Sequence, residues 1–156
     1  MQNVDSFLDS IISSRGCYRF SEKFFQDNPK EKGRLDSGTG NMIVSNIFDN
    51  SPEVFCDNKK DDVNYIKLTG RAENQRVERY ILRNWVQENN FLDCFNVLLT
   101  EANNSGAFGE TLTPSLIAGP REGATDTFIS IGTFKTESEA INAAKYLKTK
   151  IARALL

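Results

Sequence analysis

The chain has 156 residues, a formal net charge of -2, 39% hydrophobic residues and 26% charged residues, the proportions expected of one soluble globular domain with a real core. Histidine is absent, which removes Ser-His-Asp and Cys-His nucleophile systems, histidine-bound zinc and the commonest general base. Apolar runs fall far short of the roughly 20 residues needed for a membrane helix or the shorter core of a secretory signal.

At the start of the chain, Val4, Phe7, Leu8, Ile11 and Ile12 recur at helical spacing, so a helix is expected over residues 4–12, stopped by Ser13-Ser14-Arg15-Gly16. Phe20, Phe24 and Phe25 form a short apolar segment, and the polar tract 26–40, with Gly33, Gly38 and Gly40, reads as a loop. Residues 42–48, 53–56 and 63–68 are rich in strand formers. Residues 77–85 fit either a helix or an extended segment. A buried strand is expected over 95–100, then a loop at 103–109, a short strand at 115–118, a turn at Gly119-Pro120 and a strong strand at 126–134. Thr136-Glu137-Ser138-Glu139 is a capping box. It opens a helix whose stripe, Ala140, Ala144, Leu147, Ile151 and Leu155, should cover the sheet as far as the chain end. The expected class is α+β: a mixed sheet with an N-terminal helix and a long C-terminal helix packed on it. That last helix meets the chain end without a stop signal, as expected of a single domain, 1–156, taken from a longer polypeptide.

Charge is unevenly distributed. Asp49, Glu53, Asp57, Asp61 and Asp62 outweigh Lys59 and Lys60 in the middle, whereas Lys145, Lys148, Lys150 and Arg153 make the end basic. Cys17, Cys56 and Cys94 form no close pair, so neither a zinc knuckle nor a disulfide framework is expected, and the thiols read as buried small side chains. Asp57-Asn58-Lys59 with Asp49 upstream loosely matches an acidic–x–Lys nuclease site, in which carboxylates hold Mg2+ and the lysine orients water. An acidic turn explains the same residues. Gly38-Thr39-Gly40 follows a polar tract rather than a strand, and so does not suit a cofactor loop. Ser13, Ser14 and Ser105 have no histidine base to make a nucleophile. What remains are polar loops on a rigid frame, around Ser13-Ser14-Arg15, Asn103-Asn104-Ser105-Gly106 and Pro120-Arg121-Glu122-Gly123. Arginine pairs with guanine, asparagine with adenine, and serine with base or phosphate, although turn formation alone also accounts for these residues.

Four segments carry a family resemblance: Ser-Ile-Ile-Ser-Ser-Arg at 10–15, residues 80–85, residues 95–106, and Asp-Thr-Phe-Ile-Ser-Ile-Gly-Thr-Phe at 126–134. The last continues through Glu-Ser-Glu-Ala-Ile-Asn at 137–142 to Tyr-Leu-Lys-Thr-Lys at 146–150. In this order they resemble the target-recognition region near the C-terminus of adenine-specific type II restriction–modification enzymes. Asp126 stands where the family usually has glutamate, Gly16-Cys17-Tyr18 is less basic than its pattern, and residues 26–40 and 104–116 match less well. Such enzymes carry their Asn/Asp-Pro-Pro-aromatic motif in a methyltransferase domain that flips the target adenine; this sequence has no such tetrapeptide.

The resemblance therefore implies sequence-specific binding of double-stranded DNA with no catalysis, metal or cofactor in this fragment. The implied partner is the catalytic methyltransferase or nuclease portion of the same polypeptide, in the bacterial cytoplasm, without a membrane. Candidate DNA contacts are Ser14, Arg15, Asn103, Ser105 and Arg121, with Lys148, Lys150 and Arg153 as phosphate contacts. Helical spacing spreads those last three around the polar face, so they cannot all touch DNA together. The alternatives are a protein–protein docking module using the alanine–leucine stripe, and the Mg-dependent nuclease domain.

Overall fold

The computed structural model describes residues 11–35, 40–59, 64–100 and 114–148. In chain order these contain α1 (Glu22–Asp27), α2 (Pro29–Leu35), α3 (Ile47–Asn50), β1 (Tyr65–Ala72), β2 (Gln75–Leu82), β3 (Phe95–Thr100), β4 (Leu116–Ala118), β5 (Glu122–Ala124), β6 (Phe128–Phe134) and α4 (Glu137–Leu147). The α+β class holds, but the strands form two three-stranded sheets, ordered β2-β1-β5 and β4-β3-β6, instead of one. In the first, β1 pairs antiparallel with β2 and parallel with β5; the second is antiparallel throughout.

Period-two alternation explains the layering. Val97 and Leu99 on β3 share a face with Ile131 on β6 and pack with Ala140 and Ala144 of α4. Leu98 and Phe128 face the other way, into a larger core with Ile66, Leu68, Ile81 and the aromatic groups Tyr18, Phe20 and Phe24. Phe20 and Phe24 stack at 4.0 Å between centroids, and Trp85 meets Phe24 edge-on at 5.6 Å. Between Ile131 and Phe134 the register slips against β3, and Gly132 has φ of 79° there. Only glycine takes that conformation cheaply, which is what a bulge of this kind demands.

Thr136 caps α4 as its sequence predicts. Its side chain accepts from the Glu139 N–H, and the Glu139 carboxylate accepts from the Thr136 N–H. Ala140, Ala144 and Leu147 of the predicted stripe pack on the sheet, while Ile151 and Leu155 lie outside the described residues.

Other expectations are corrected. Ile12 bridges antiparallel to Ile131 of β6, with Ser13 N–H donating to Ser130 O at 2.8 Å and Gly132 N–H to Ile11 O at 2.7 Å. The backbone donors of β6 outweigh helical periodicity there, and the rest of the expected first helix falls outside the described residues. The polar tract contains α2, begun by Pro29 at the position where its missing N–H costs nothing. Helix α2 is anchored by buried Glu31, which accepts from Ser51 Oγ at 2.6 Å. Ile47 and Phe48, at the end of the segment 42–48 rich in strand formers, open helix α3 instead, and Pro52–Val54 is a 3-10 turn leading to a single bridge between Cys56 and Tyr80. The ambiguous segment 77–85 resolves as the end of β2 followed by a 3-10 turn.

Candidate nucleic-acid interface

Ser14 and Arg15 occupy an exposed turn made possible by Gly16 at φ 63°. A side chain at Gly16 would run into Met42. Arg15 Nη2 donates to Asp126 Oδ2 at 3.1 Å; the arginine side chain is 60% exposed and the aspartate 8%. Asp126 is fixed in turn by its N–H, which donates to Ile43 O at 2.9 Å, in the turn that carries the chain from β5 to β6. The guanidinium is thus held at the surface by a buried carboxylate, a geometry that restricts its rotamers without covering it.

Two arginines absent from the sequence-based candidates join it. Arg71 of β1 stands directly opposite Arg76 of β2, and both are exposed. The Arg76 guanidinium lies 5.6 Å from the centre of the Phe128 ring. Thr69, two residues before Arg71, is in register with Ala124, two residues before Asp126. Arg76, with Arg71 opposite it, thus lies over Phe128, two residues beyond the Asp126 that holds Arg15.

The Asp126–Phe128 corner is also the root of the segment that carries Asn103 and Ser105. Thr100, at the end of β3, pairs with Phe128, and the chain returns at Leu116, paired with Leu98. Asn103 and Ser105 themselves lie outside the described residues, as do Lys150 and Arg153. Three buried polar atoms without a hydrogen-bond partner among the described residues, Asp126 Oδ1, Thr100 Oγ1 and Ser115 Oγ, also belong to this end of the sheet. Each costs about 1–3 kcal/mol while unsatisfied, so the corner has unused hydrogen-bonding capacity.

Arg121 is elsewhere. It sits in the β4–β5 turn at φ 65°, exposed, with its N–H donating to Leu92 O at 2.6 Å and its carbonyl accepting from Lys67 N–H at 3.0 Å. Four residues, three of them in β5, separate it from Asp126, a span of roughly 16 Å over five steps at strand rise. A duplex touching both Arg15 and Arg121 must therefore run along β5. Lys148 closes α4, exposed, and among the described residues no hydrogen bond or ion pair ties it to Arg15 or Arg121.

The acidic–x–Lys residues have structural duties. Asp57 pairs with Arg79 at 3.1 Å, and Asp49 Oδ1 accepts from Glu73 N–H at 3.1 Å. Among the described residues no group of three or more Cys, Asp or Glu side chains is arranged to hold a metal ion. Gly40 forms a turn at φ 59°, and Gly38 and Thr39 lie outside the described residues. The thiols are free and half-buried instead of fully buried. Burial pushes Cys17 above the usual thiol range despite its hydrogen bonding with Ser13 and Ser130, which leaves it a poor nucleophile.

Among the described residues no helix is long and apolar enough to cross a membrane. Comparison with protein-family models, with curated proteins and with solved structures yields no match.

Proposed function

We propose that this chain is the DNA target-recognition part of a bacterial restriction–modification protein and that it binds duplex DNA through the Arg15–Arg71–Arg76 corner. The observation that carries the reading is the placement of exposed Arg76, with Arg71 opposite it, over Phe128 and of exposed Arg15 on Asp126, at the root of the polar segment bearing Asn103 and Ser105. A chain with a net charge of -2 gathers cations in this way where an anion is to be bound, because like charges otherwise repel. Arg15, on its turn with Ser14, contacts the duplex directly, and Arg71 and Arg76 grip the backbone. Catalysis belongs to another part of the protein.

The test is fluorescence anisotropy with labelled duplexes across a salt series. Binding weakens steeply as salt rises, and Arg15→Ala lowers affinity and the salt slope together. Undetectable binding at low salt removes the proposal. A docking reading draws on the exposed Ile141 and Tyr146 of α4, since the described part of the alanine–leucine stripe is occupied by the sheet. It predicts no salt-dependent retention of DNA.

A further inference from the structure

We infer that the β1–β2 hairpin enters the major groove as a two-stranded ribbon and that Asn74 and Gln75 at its tip read adenine. This deepens the DNA-binding proposal and rests on it. Towards its base the hairpin is anchored in the core through Ile66, Leu68 and Ile81, all fully buried. At the other end Arg71, Glu73, Asn74, Gln75 and Arg76 are all exposed. Strand β2 lies at the edge of its sheet, so the distal ribbon is accessible. A two-stranded ribbon, with its strands about 4.8 Å apart, fits a major groove about 12 Å wide.

The chemistry of the tip suits that floor. Asparagine and glutamine are the side chains whose donor and acceptor match adenine N7 and N6, and here two adjacent carboxamides are flanked by arginines. Glu73 is repelled by phosphate but compatible with the amino groups that bases expose in the groove. Arg71 and Arg76 stand directly opposite each other, an arrangement of like charges that is destabilising in a sheet until an anion lies beside it. Backbone phosphates on either side of the groove supply one.

The tip is also preorganised. Glu73 and Asn74 have φ of 48° and 62°, the pair of left-handed residues required by the tightest hairpin turn. Asp49 holds the Glu73 N–H, and Arg71 Nη2 donates to Asn74 Oδ1 at 3.1 Å. That oxygen retains a second lone pair for the adenine amino group.

The experiment is selection from a randomised duplex library with the full chain, followed by affinity measurements on the selected sequence. Asn74→Gly removes the carboxamide at a position whose positive φ favours glycine, so the hairpin is retained, and circular dichroism checks this. Asn74→Gly combined with Gln75→Ala should lower the preference for adenine at the selected position by about 10- to 100-fold. Affinity for unrelated duplex and the salt slope should not change. Replacing that adenine with 7-deazaadenine should weaken wild-type binding and leave the variant unaffected. A selected motif without adenine, wild-type binding without preference, or a double variant that keeps the wild-type preference overturns the hairpin assignment while the DNA-binding proposal survives. Failure to retain any duplex at low salt overturns both.

Discussion

Two glycine-to-alanine substitutions should move stability in opposite directions. A Cβ at Gly123 would lie 2.8 Å from Tyr18 Cε1, 2.9 Å from Cδ1 and 3.1 Å from Cζ. The ring cannot easily yield, because Tyr18 is 2% exposed and its hydroxyl is hydrogen-bonded to Ser130 Oγ at 2.9 Å. Overpacking of this kind costs about 1–3 kcal/mol, and a ring forced aside also weakens a hydrogen bond worth about 1 kcal/mol. Gly123→Ala should therefore destabilise by about 2–3 kcal/mol, roughly 5–10 °C in Tm for a chain of this size. Gly33 lies inside α2, and a Cβ there meets nothing within 4 Å. Gly33→Ala should stabilise by up to about 1 kcal/mol, because alanine loses less backbone entropy in a helix. Urea unfolding of both variants with a common m-value checks the pair. An unchanged midpoint for Gly123→Ala would refute the claim that Tyr18 is pinned between β5 and Ser130.

Three further outcomes follow from the same contacts. Thr136→Ala removes the side-chain acceptor of the α4 capping box and should cost about 1 kcal/mol, measured by chemical denaturation. Burial, aided by the neighbouring Cys17, pushes the Tyr18 phenol above its ordinary value of 10.0. The folded state therefore keeps a proton that the unfolded state releases, and stability falls as pH rises above about 10, by up to about 1.4 kcal/mol per pH unit. Tyr18→Phe should flatten that slope at a constant cost of about 1 kcal/mol for the lost hydrogen bond; an unchanged alkaline slope would show that other groups set it. Finally, Arg71→Ala should relieve the opposition to Arg76, leaving stability unchanged or slightly higher in the absence of DNA, as thermal unfolding in low salt would reveal.

Much of the frame was legible where local signals agree with tertiary demand. Thr136 and Glu139 identified the start of α4, the strand formers at 95–100 and 126–134 identified β3 and β6, and Gly119-Pro120 marked the turn between β4 and β5. Helix α2 was hidden because Lys30, Glu31, Lys32 and Arg34 look like a solvated loop when the buried Glu31–Ser51 contact is unknown. The β1–β2 turn was hidden because Glu73-Asn74 lacks the glycine that usually marks it. Arg15 was recognisable on its turn. Its carboxylate partner lies 111 residues away, and Arg71 and Arg76 become neighbours only through strand register. No spacing rule in the sequence encodes that arrangement.

The most direct measurement is the salt dependence of duplex binding for the wild-type chain and for the Arg15→Ala, Arg71→Ala, Arg76→Ala triple variant. Each phosphate contact contributes about 0.9 to the slope of log affinity against log salt. The account predicts a wild-type slope that falls by about 2 to 3 in the triple variant, with circular dichroism unchanged. Equal slopes for the two proteins, or no binding by the wild type at low salt, would contradict it.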